Sequence, residues 1–243
     1  MKLTVIGYWG AYPGPGEASS GYLIEEGEEK ILLDCGSGIL SKLYDYADIE
    51  TLNNIVLTHY HADHIADIGC IQHAAKVQKS LGERSIPVTI YGHDLTDFFN
   101  NLNFEDVTIG KVINEGSSTV IGPFMLDFKR TAHPVPAFAL RVESRGVSIG
   151  YTGDTGWSED LIAFFKGVDL LVCESSLYNQ FKGRVDGHLT AGEAGILARE
   201  SGAGELLLTH LPHFGNHQDL VLEASEEYGG KVLLANSGLS WHN

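Results

Sequence analysis

The sequence predicts an α+β protein in which two mixed sheets pack face to face with helices outside. Three observations lead to this fold class: short apolar runs separated by turn residues, glycine turns between neighbouring runs, and helical periodicity between later runs. The chain has 243 residues, with 43 % hydrophobic and 20 % charged residues. This length and composition favour one globular domain over residues 1–243.

Ten apolar runs have the length and composition of β-strands. They lie at residues 3–7, 21–25, 30–34, 54–58, 87–91, 138–144, 147–152, 169–174, 205–209 and 231–235. Glycine flanked by charged residues separates two pairs of runs, at residues 25–30 and 144–146, and predicts two hairpins.

Helices are predicted between strands from the spacing of apolar residues. The strongest patterns cover residues 64–81 and 190–201, and weaker ones cover 94–102, 158–166 and 217–228. Thr190 and Glu193 form a capping-box pattern, so the helix of residues 190–201 begins just after His188.

Composition argues against several classes of protein. A net charge of −16 disfavours binding to long nucleic acids. No apolar run is long enough for a membrane span and the N-terminus lacks a signal-peptide pattern, so we expect a cytoplasmic protein. Three widely spaced cysteines, Cys35, Cys70 and Cys173, do not form a disulfide framework and are expected to be buried.

The segment LTHYHADH places His59, His61, Asp63 and His64 within six positions, directly after a predicted strand. Alternate residues of an extended segment point the same way, so His59 and His61 can share a metal ion. Asp63 and His64 lie where the chain turns into a helix and can hold a second ion. Such a dense pattern is hard to explain as polar decoration of a loop.

Three further candidate ligands lie at the ends of predicted strands: His133, Asp154 and His210. Each alone is compatible with a hydrogen-bonded loop residue, but together with the motif they indicate a two-metal site in which Asp154 is the natural bridging carboxylate. Imidazole and carboxylate ligands without thiolate suit two zinc ions, with manganese or iron as alternatives.

With these residues the sequence resembles the metallo-β-lactamase superfamily, and within it the ribonuclease Z-like phosphodiesterases. The resemblance covers nearly the whole chain and rests on segments in the family's order: IGYWGAYPGPGEASSGYLIE, LLDCGSG, LTHYHADH, His133, YTGDT, HLTA from His188, and LLLTH. It implies a four-layer αββα sandwich with a dinuclear metal site and, by family expectation, a homodimer.

The resemblance also implies roles for individual residues. His59, His61 and His133 would hold one ion, Asp63, His64 and His210 the other, and Asp154 would be shared. Asp63 would accept a proton from the attacking water, and His188, oriented by Glu174, would donate one to the leaving oxygen. Asp34 either orients a ligand histidine or only fixes a turn.

The function expected from these residues is hydrolysis of a small or cyclic phosphodiester, or of a short RNA, by metal-activated hydroxide. Lys182 and Arg184 offer a phosphate contact near His188, or only a solvated loop. Hydrolysis of a carboxyl-type bond (thioester, lactam or lactone), endonucleolytic processing of transfer RNA 3′ ends, and a non-catalytic binding or redox role remain alternatives. Only residues 134–153 separate His133 from Asp154, too few for the RNA-binding arm of transfer-RNA-maturing ribonuclease Z.

The remaining histidines are assigned no direct role in this chemistry. His73, His93, His217 and His242 are expected at the surface or at the rim of the site, and His213 could line the cleft.

Overall fold

A computed structural model describes all residues of the chain, from Met1 to Asn243. It contains two compact units, residues 1–114 with 236–242 and residues 115–235 with 243. Each unit is built on one seven-stranded mixed sheet with helices beside it. The expectation of a single domain over residues 1–243 stays a prediction.

The first unit contains seven strands and three short or medium helices. The strands are β1 (Lys2–Gly7), β2 (Gly21–Glu26), β3 (Glu29–Leu33), β4 (Asn54–Val56), β5 (Val88–Gly92), β6 (Thr108–Val112) and β14 (Ser240–His242), numbered in chain order. The helices are α1 (Ile39–Leu43), α2 (Ala62–Ile65) and α3 (Ile68–Leu81). The sheet order is β14-β1-β2-β3-β4-β5-β6, antiparallel from β14 to β3 and parallel from β3 to β6.

The core of this unit forms where α3 covers the parallel strands. Ile68, Ile71 and Ala75 lie one helical turn apart and are buried on one face of α3. They belong to the same apolar cluster as Leu32 of β3 and Ile55 of β4. Removing this apolar surface from water is the main stabilisation of the unit.

The second unit contains the other seven strands and three helices. The strands are β7 (Thr119–Ile121), β8 (Phe124–Arg130), β9 (Phe138–Ser144), β10 (Val147–Tyr151), β11 (Leu170–Glu174), β12 (Glu205–Thr209) and β13 (Lys231–Leu234). The helices are α4 (Asp160–Phe164), α5 (Ala191–Ser201) and α6 (His217–Tyr228). The sheet order is β13-β12-β11-β10-β9-β8-β7, antiparallel from β7 to β10 and parallel from β10 to β13.

Several local predictions are confirmed. The two hairpins are present as antiparallel pairs, β2 with β3 and β9 with β10. The capping box at α5 is formed, because the Thr190 side chain accepts from the Glu193 backbone and the Glu193 side chain accepts from the Thr190 backbone. The predicted helix at 217–228 matches α6.

Other predictions need correction. The helix predicted at 64–81 is interrupted between α2 and α3, because the Asp67 carboxylate accepts the backbone N–H of Leu40 and the Asp67 N–H donates to the carbonyl of Cys35. The segment predicted as a helix at 94–102 is a 3₁₀ helix over Asp97–Leu102. Four strands were not predicted: β6, β7, β8 and β14.

The parallel strands of each sheet place polar residues at their carboxyl ends, where parallel strands deliver residues to one edge. In the first unit Asp34 follows β3, His59 lies three residues beyond β4, and His93 follows β5. In the second unit Asp154 lies beyond β10, Glu174 ends β11, and His210 follows β12. No helix in either unit combines the length and apolar character needed to cross a membrane.

Candidate metal-binding groups

The four residues of the LTHYHADH motif converge at the edge of the first sheet. The ring centroid of His59 lies 4.7 Å from that of His61 and 4.1 Å from that of His64. His64 Nε2 is 3.6 Å from Asp63 Oδ2. His59 and His64 are fully buried, and Asp63 is nearly so. The structure therefore brings the motif residues within the reach needed for metal ligation.

Asp34 holds two of these histidines in a fixed orientation. Its Oδ2 accepts from His64 Nδ1 at 2.8 Å, and its Oδ1 accepts the Thr58 N–H at 2.8 Å. The Thr58 hydroxyl contacts both Asp34 oxygens at 3.0–3.1 Å and lies 3.0 Å from His59 Nδ1. Asp34 thus contacts His64 directly and His59 through Thr58, which goes beyond fixing a turn.

A backbone amide positions Asp63. The Ala11 N–H donates to Asp63 Oδ2 at 2.7 Å. Ala11 has a φ of +63°, and the Tyr12 N–H donates to the Gly10 carbonyl at 2.8 Å, which closes a γ-turn around Ala11. A positive φ at the centre of such a turn is strained for a residue with a Cβ. The strained turn directs the Ala11 N–H at the Asp63 carboxylate.

The second unit holds the other three candidate ligands. His210 Nε2 lies 3.3 Å from Asp154 Oδ1, and the ligand atoms of His133 and Asp154 are within 4.8 Å of each other. His133 Nδ1 lies 3.0 Å from the carbonyl oxygen of Gly187. A Cβ at Gly187 would come within 2.8 Å of that nitrogen, so this close approach requires glycine.

Glu174 is a buried carboxylate surrounded by donors. Its Oε1 accepts the Thr155 N–H at 2.8 Å and contacts His188 Nδ1 at 3.1 Å. Its Oε2 accepts the Ser176 hydroxyl at 2.6 Å and the Leu189 N–H at 3.2 Å. The predicted contact between Glu174 and His188 is therefore present. The His188 ring is stacked on His210, with centroids 5.5 Å apart and planes at 16°.

The other histidines and the cysteines only partly follow expectation. His73, His213 and His242 are exposed and His217 is half-buried. His93 is buried, which excludes the surface, one of the two positions expected for it: it follows a core strand, and its ring lies 4.3 Å from that of Tyr60.

Two of the three cysteines are buried as expected, and burial is the main reason that the pKa values of the Cys35 and Cys173 thiols are raised. Cys70 is exposed, against expectation, because it lies on the outer face of α3.

The donor set fits a divalent metal such as zinc. Four candidate ligands share one feature, an oxygen acceptor beside Nδ1: Thr58 for His59, Asp34 for His64, Gly187 for His133, and Ser176 for His210. The Gly187 carbonyl and the Asp34 carboxylate can only accept, so the proton of His133 and His64 is on Nδ1 and the lone pair on Nε2. Histidines that ligate metals through Nε2 characteristically have this arrangement.

Four residues of these groups were missed from sequence: Ala11, Thr58, Ser176 and Gly187. Thr58 and Ser176 lie next to or near predicted residues, so proximity in LTHYHADH and VCESS was the only available signal. Ala11 acts through its backbone, which no residue pattern reveals.

Two sheets of seven strands each, flanked by helices, and histidine and aspartate groups at the strand ends define the metallo-β-lactamase fold, which confirms the predicted fold class. The crystal structure of the metallo-beta-lactamase fold protein YhfI from Bacillus subtilis matches with a TM-score of 0.97 and 43 % identity, covering 99 % of this chain and 98 % of that chain.

The family model described as "Beta-lactamase superfamily domain" matches residues 29–211, and the chain belongs to this family. The relative named "Probable metallo-hydrolase YhfI" from Bacillus subtilis (strain 168) is 44 % identical over 99 % of both chains. A protein named "Ribonuclease Z" from Mycobacterium bovis is 26 % identical over 97 % of this chain and 96 % of its own length. These similarities support a metallo-hydrolase of the β-lactamase fold.

Proposed function

We propose that the protein is a dinuclear metal-dependent phosphodiesterase. His59, His61 and His133 would hold one ion, Asp63, His64 and His210 the other, and Asp154 both. The observation that carries this proposal is the common orientation of four imidazoles, each with an oxygen beside Nδ1, which places the lone pair on Nε2. We propose zinc as the native metal; manganese and iron accept the same donors.

The metal ions, when bound, would activate water and neutralise charge on a phosphoryl group. Asp63 would accept a proton through Oδ1, because Ala11 N–H already donates to Oδ2. His188 would donate a proton to the leaving oxygen from Nε2, since its Nδ1 is directed at Glu174. The buried Glu174 carboxylate orients the His188 ring through this contact.

The proposed substrate is a small or cyclic phosphodiester or a short RNA. Similarity to a protein named ribonuclease Z supports phosphodiester chemistry. The chain between His133 and Asp154 contains little more than the hairpin of β9 and β10, which leaves no arm for a folded RNA. A net charge of −16 also disfavours long nucleic acids. We further propose that the protein acts in the cytoplasm, and that a homodimer is the form to test.

Metal analysis and a hydrolysis assay test the proposal. Protein purified without added metal should contain about two ions per chain by mass spectrometry and should hydrolyse bis(p-nitrophenyl) phosphate but not nitrocefin. Asp154→Ala should lose both metal and turnover. His73→Ala, which changes an exposed histidine, is the control and should change neither.

The leaving group separates the role of His188 from a structural one. His188→Ala should retain its metal and lose about 10²–10⁴-fold in rate on a diester with an alkoxide leaving group, which needs a proton. It should lose far less on a p-nitrophenyl ester, because nitrophenolate leaves without one. An equal loss of rate on both substrates would contradict the role of His188 as the general acid.

Carboxyl-bond hydrolysis remains the second candidate, since the same fold and ligands would serve it. Metal-loaded protein that cleaves thioesters or lactones but not phosphodiesters would support it and overturn the phosphodiesterase proposal. Cleavage of a labelled transfer RNA precursor at its 3′ end would instead show that the arm is not needed for that activity.

A further inference from the structure

One hydroxyl group lies between the candidate ligand His210 and the Glu174–His188 pair. Ser176 Oγ is 2.8 Å from His210 Nδ1 and 2.6 Å from Glu174 Oε2. It is 3.4 Å from His188 Nδ1, a longer contact than the 3.1 Å between that nitrogen and Glu174 Oε1. Ser176 is therefore placed to bond His210 and Glu174, while His188 bonds Glu174 directly.

The single proton of the Ser176 hydroxyl determines the direction of each bond. The Glu174 carboxylate can only accept, and it is the shortest contact of Oγ, so the hydroxyl proton is donated to Oε2. The carbonyl oxygen of His210, at 3.3 Å, is a poorer acceptor for the same proton. Oγ then offers only lone pairs to His210. At 2.8 Å from Nδ1 it is a nearer acceptor than Asp154 Oδ1, which lies 3.3 Å from Nε2, so the proton of a neutral His210 is held on Nδ1.

From this geometry we propose that Ser176 is a positioning residue that fixes the tautomer of His210. With the proton on Nδ1, the lone pair of His210 is on Nε2, the atom that lies 3.3 Å from Asp154 Oδ1. The role at the metal rests on the proposed function, but the tautomer does not. Ser176 also connects His210 to Glu174, so the ligand and the proton donor share one buried carboxylate.

The neighbouring serine provides a matched control. Ser175 is buried, and its hydroxyl donates only to the Thr209 carbonyl at 3.2 Å, with no contact to a histidine. Ser175→Ala therefore removes a hydroxyl one residue away without touching the Glu174 network. Ser176→Thr and Ser176→Val form a second matched pair, equal in shape and differing in the hydroxyl.

Tautomers are read directly by long-range ¹H–¹⁵N NMR of the metal-free protein at a pH where the imidazoles are neutral, with the His210 signals assigned from a His210→Asn sample. Wild type, Ser175→Ala and Ser176→Thr should show the proton on Nδ1. Ser176→Ala and Ser176→Val should show the Nε2–H form or a mixture. Retention of the Nδ1–H form in both of these variants overturns the proposal.

Metal affinity, measured by competition with a chelator, is the second readout. Loss of the group that orients a ligand histidine typically weakens metal binding about 10–100-fold. We expect this loss in Ser176→Ala and Ser176→Val, and near wild-type affinity in Ser176→Thr and Ser175→Ala. Similar affinity in all four variants overturns the role at the metal.

Failure of the proposed function would look different. If wild type binds metal and the Ser176 variants lose affinity, but no phosphodiester is hydrolysed, the positioning role stands and only the reaction is wrong. If circular dichroism shows that Ser176→Ala does not fold, the threonine and valine pair decides the question. If His210 has the same tautomer in Ser176→Thr and Ser176→Val, the positioning role of Ser176 is refuted.

Discussion

Asp34→Asn tests how strongly the Asp34 carboxylate controls the candidate ligand His64. Asparagine has the same shape and tolerates the φ of +56° found at Asp34, so the backbone should not change. Its oxygen must accept the Thr58 N–H, which lies 2.8 Å away. The amide NH₂ then faces His64 Nδ1 at the distance of the former hydrogen bond, 2.8 Å. Two donors would face each other, so His64 must move its proton to Nε2 or lose the contact.

The expected cost follows from two independent magnitudes. A hydrogen bond to a charged group contributes about 1.5–3 kcal/mol. A 10–100-fold loss of metal affinity corresponds to about 1.4–2.8 kcal/mol. The two ranges agree, so we expect Asp34→Asn to weaken binding of the ion that His64 is proposed to hold about 10–100-fold.

Stepwise metal titration against a chelator measures the affinity for each of the two proposed ions separately. Thr58→Val is the control variant, because it is expected to affect the other ion. In Asp34→Asn the Thr58 hydroxyl can still accept from His59, so the other ion should change by less than about threefold. Thr58→Val removes the acceptor of His59 at 3.0 Å and leaves the contact between Asp34 and His64. Thr58→Val should therefore weaken binding of the ion that His59 is proposed to hold, and not of the ion assigned to His64. Equal losses at both ions in both variants, or no loss in Asp34→Asn, would refute this explanation.

Three further predictions concern stability and thiol reactivity. Arg84→Ala should lower the free energy of unfolding by about 3 kcal/mol in urea denaturation, because the guanidinium bonds four oxygens; Lys79→Ala, at an exposed ion pair, should cost under about 1 kcal/mol. Below pH 9, a thiol reagent should label Cys70 alone in the native protein, because burial raises the pKa of Cys35 and Cys173, and all three in denaturant. Chelation should lower the melting temperature, since metal at 100 times its Kd stabilises by about 2.7 kcal/mol; an unchanged melting temperature would contradict tight binding.

The sequence was sufficient where physical signals are local. Parallel core strands such as β4 and β11 are short apolar runs. The boundaries of α6 follow from the helical spacing of its apolar residues. The motif residues were predictable because four candidate ligand residues occur within six positions at a strand end.

What escaped prediction depends on tertiary contacts. β6 and β7 are edge strands with few buried residues, so their apolar pattern is weak. β8 does alternate, with Phe124, Leu126 and Phe128 inward, so its sequence has the period-two pattern of a half-buried strand. Thr58 and Ser176 are ordinary hydroxyl residues until folding places a carboxylate on one side and an imidazole on the other.

The amide of Ala11 has a consequence for how such proteins diverge. A main-chain N–H is retained in any substitution that keeps the backbone conformation. The hydrogen bond to Asp63 therefore constrains the backbone conformation of the loop and not its amino-acid sequence. The positive φ at position 11 favours residues that adopt this conformation at low energy, chiefly glycine, asparagine and aspartate. Loops of different composition could therefore preserve the same hydrogen bond to the Asp63 carboxylate, and comparing backbone angles would recognise them where comparing residues would not.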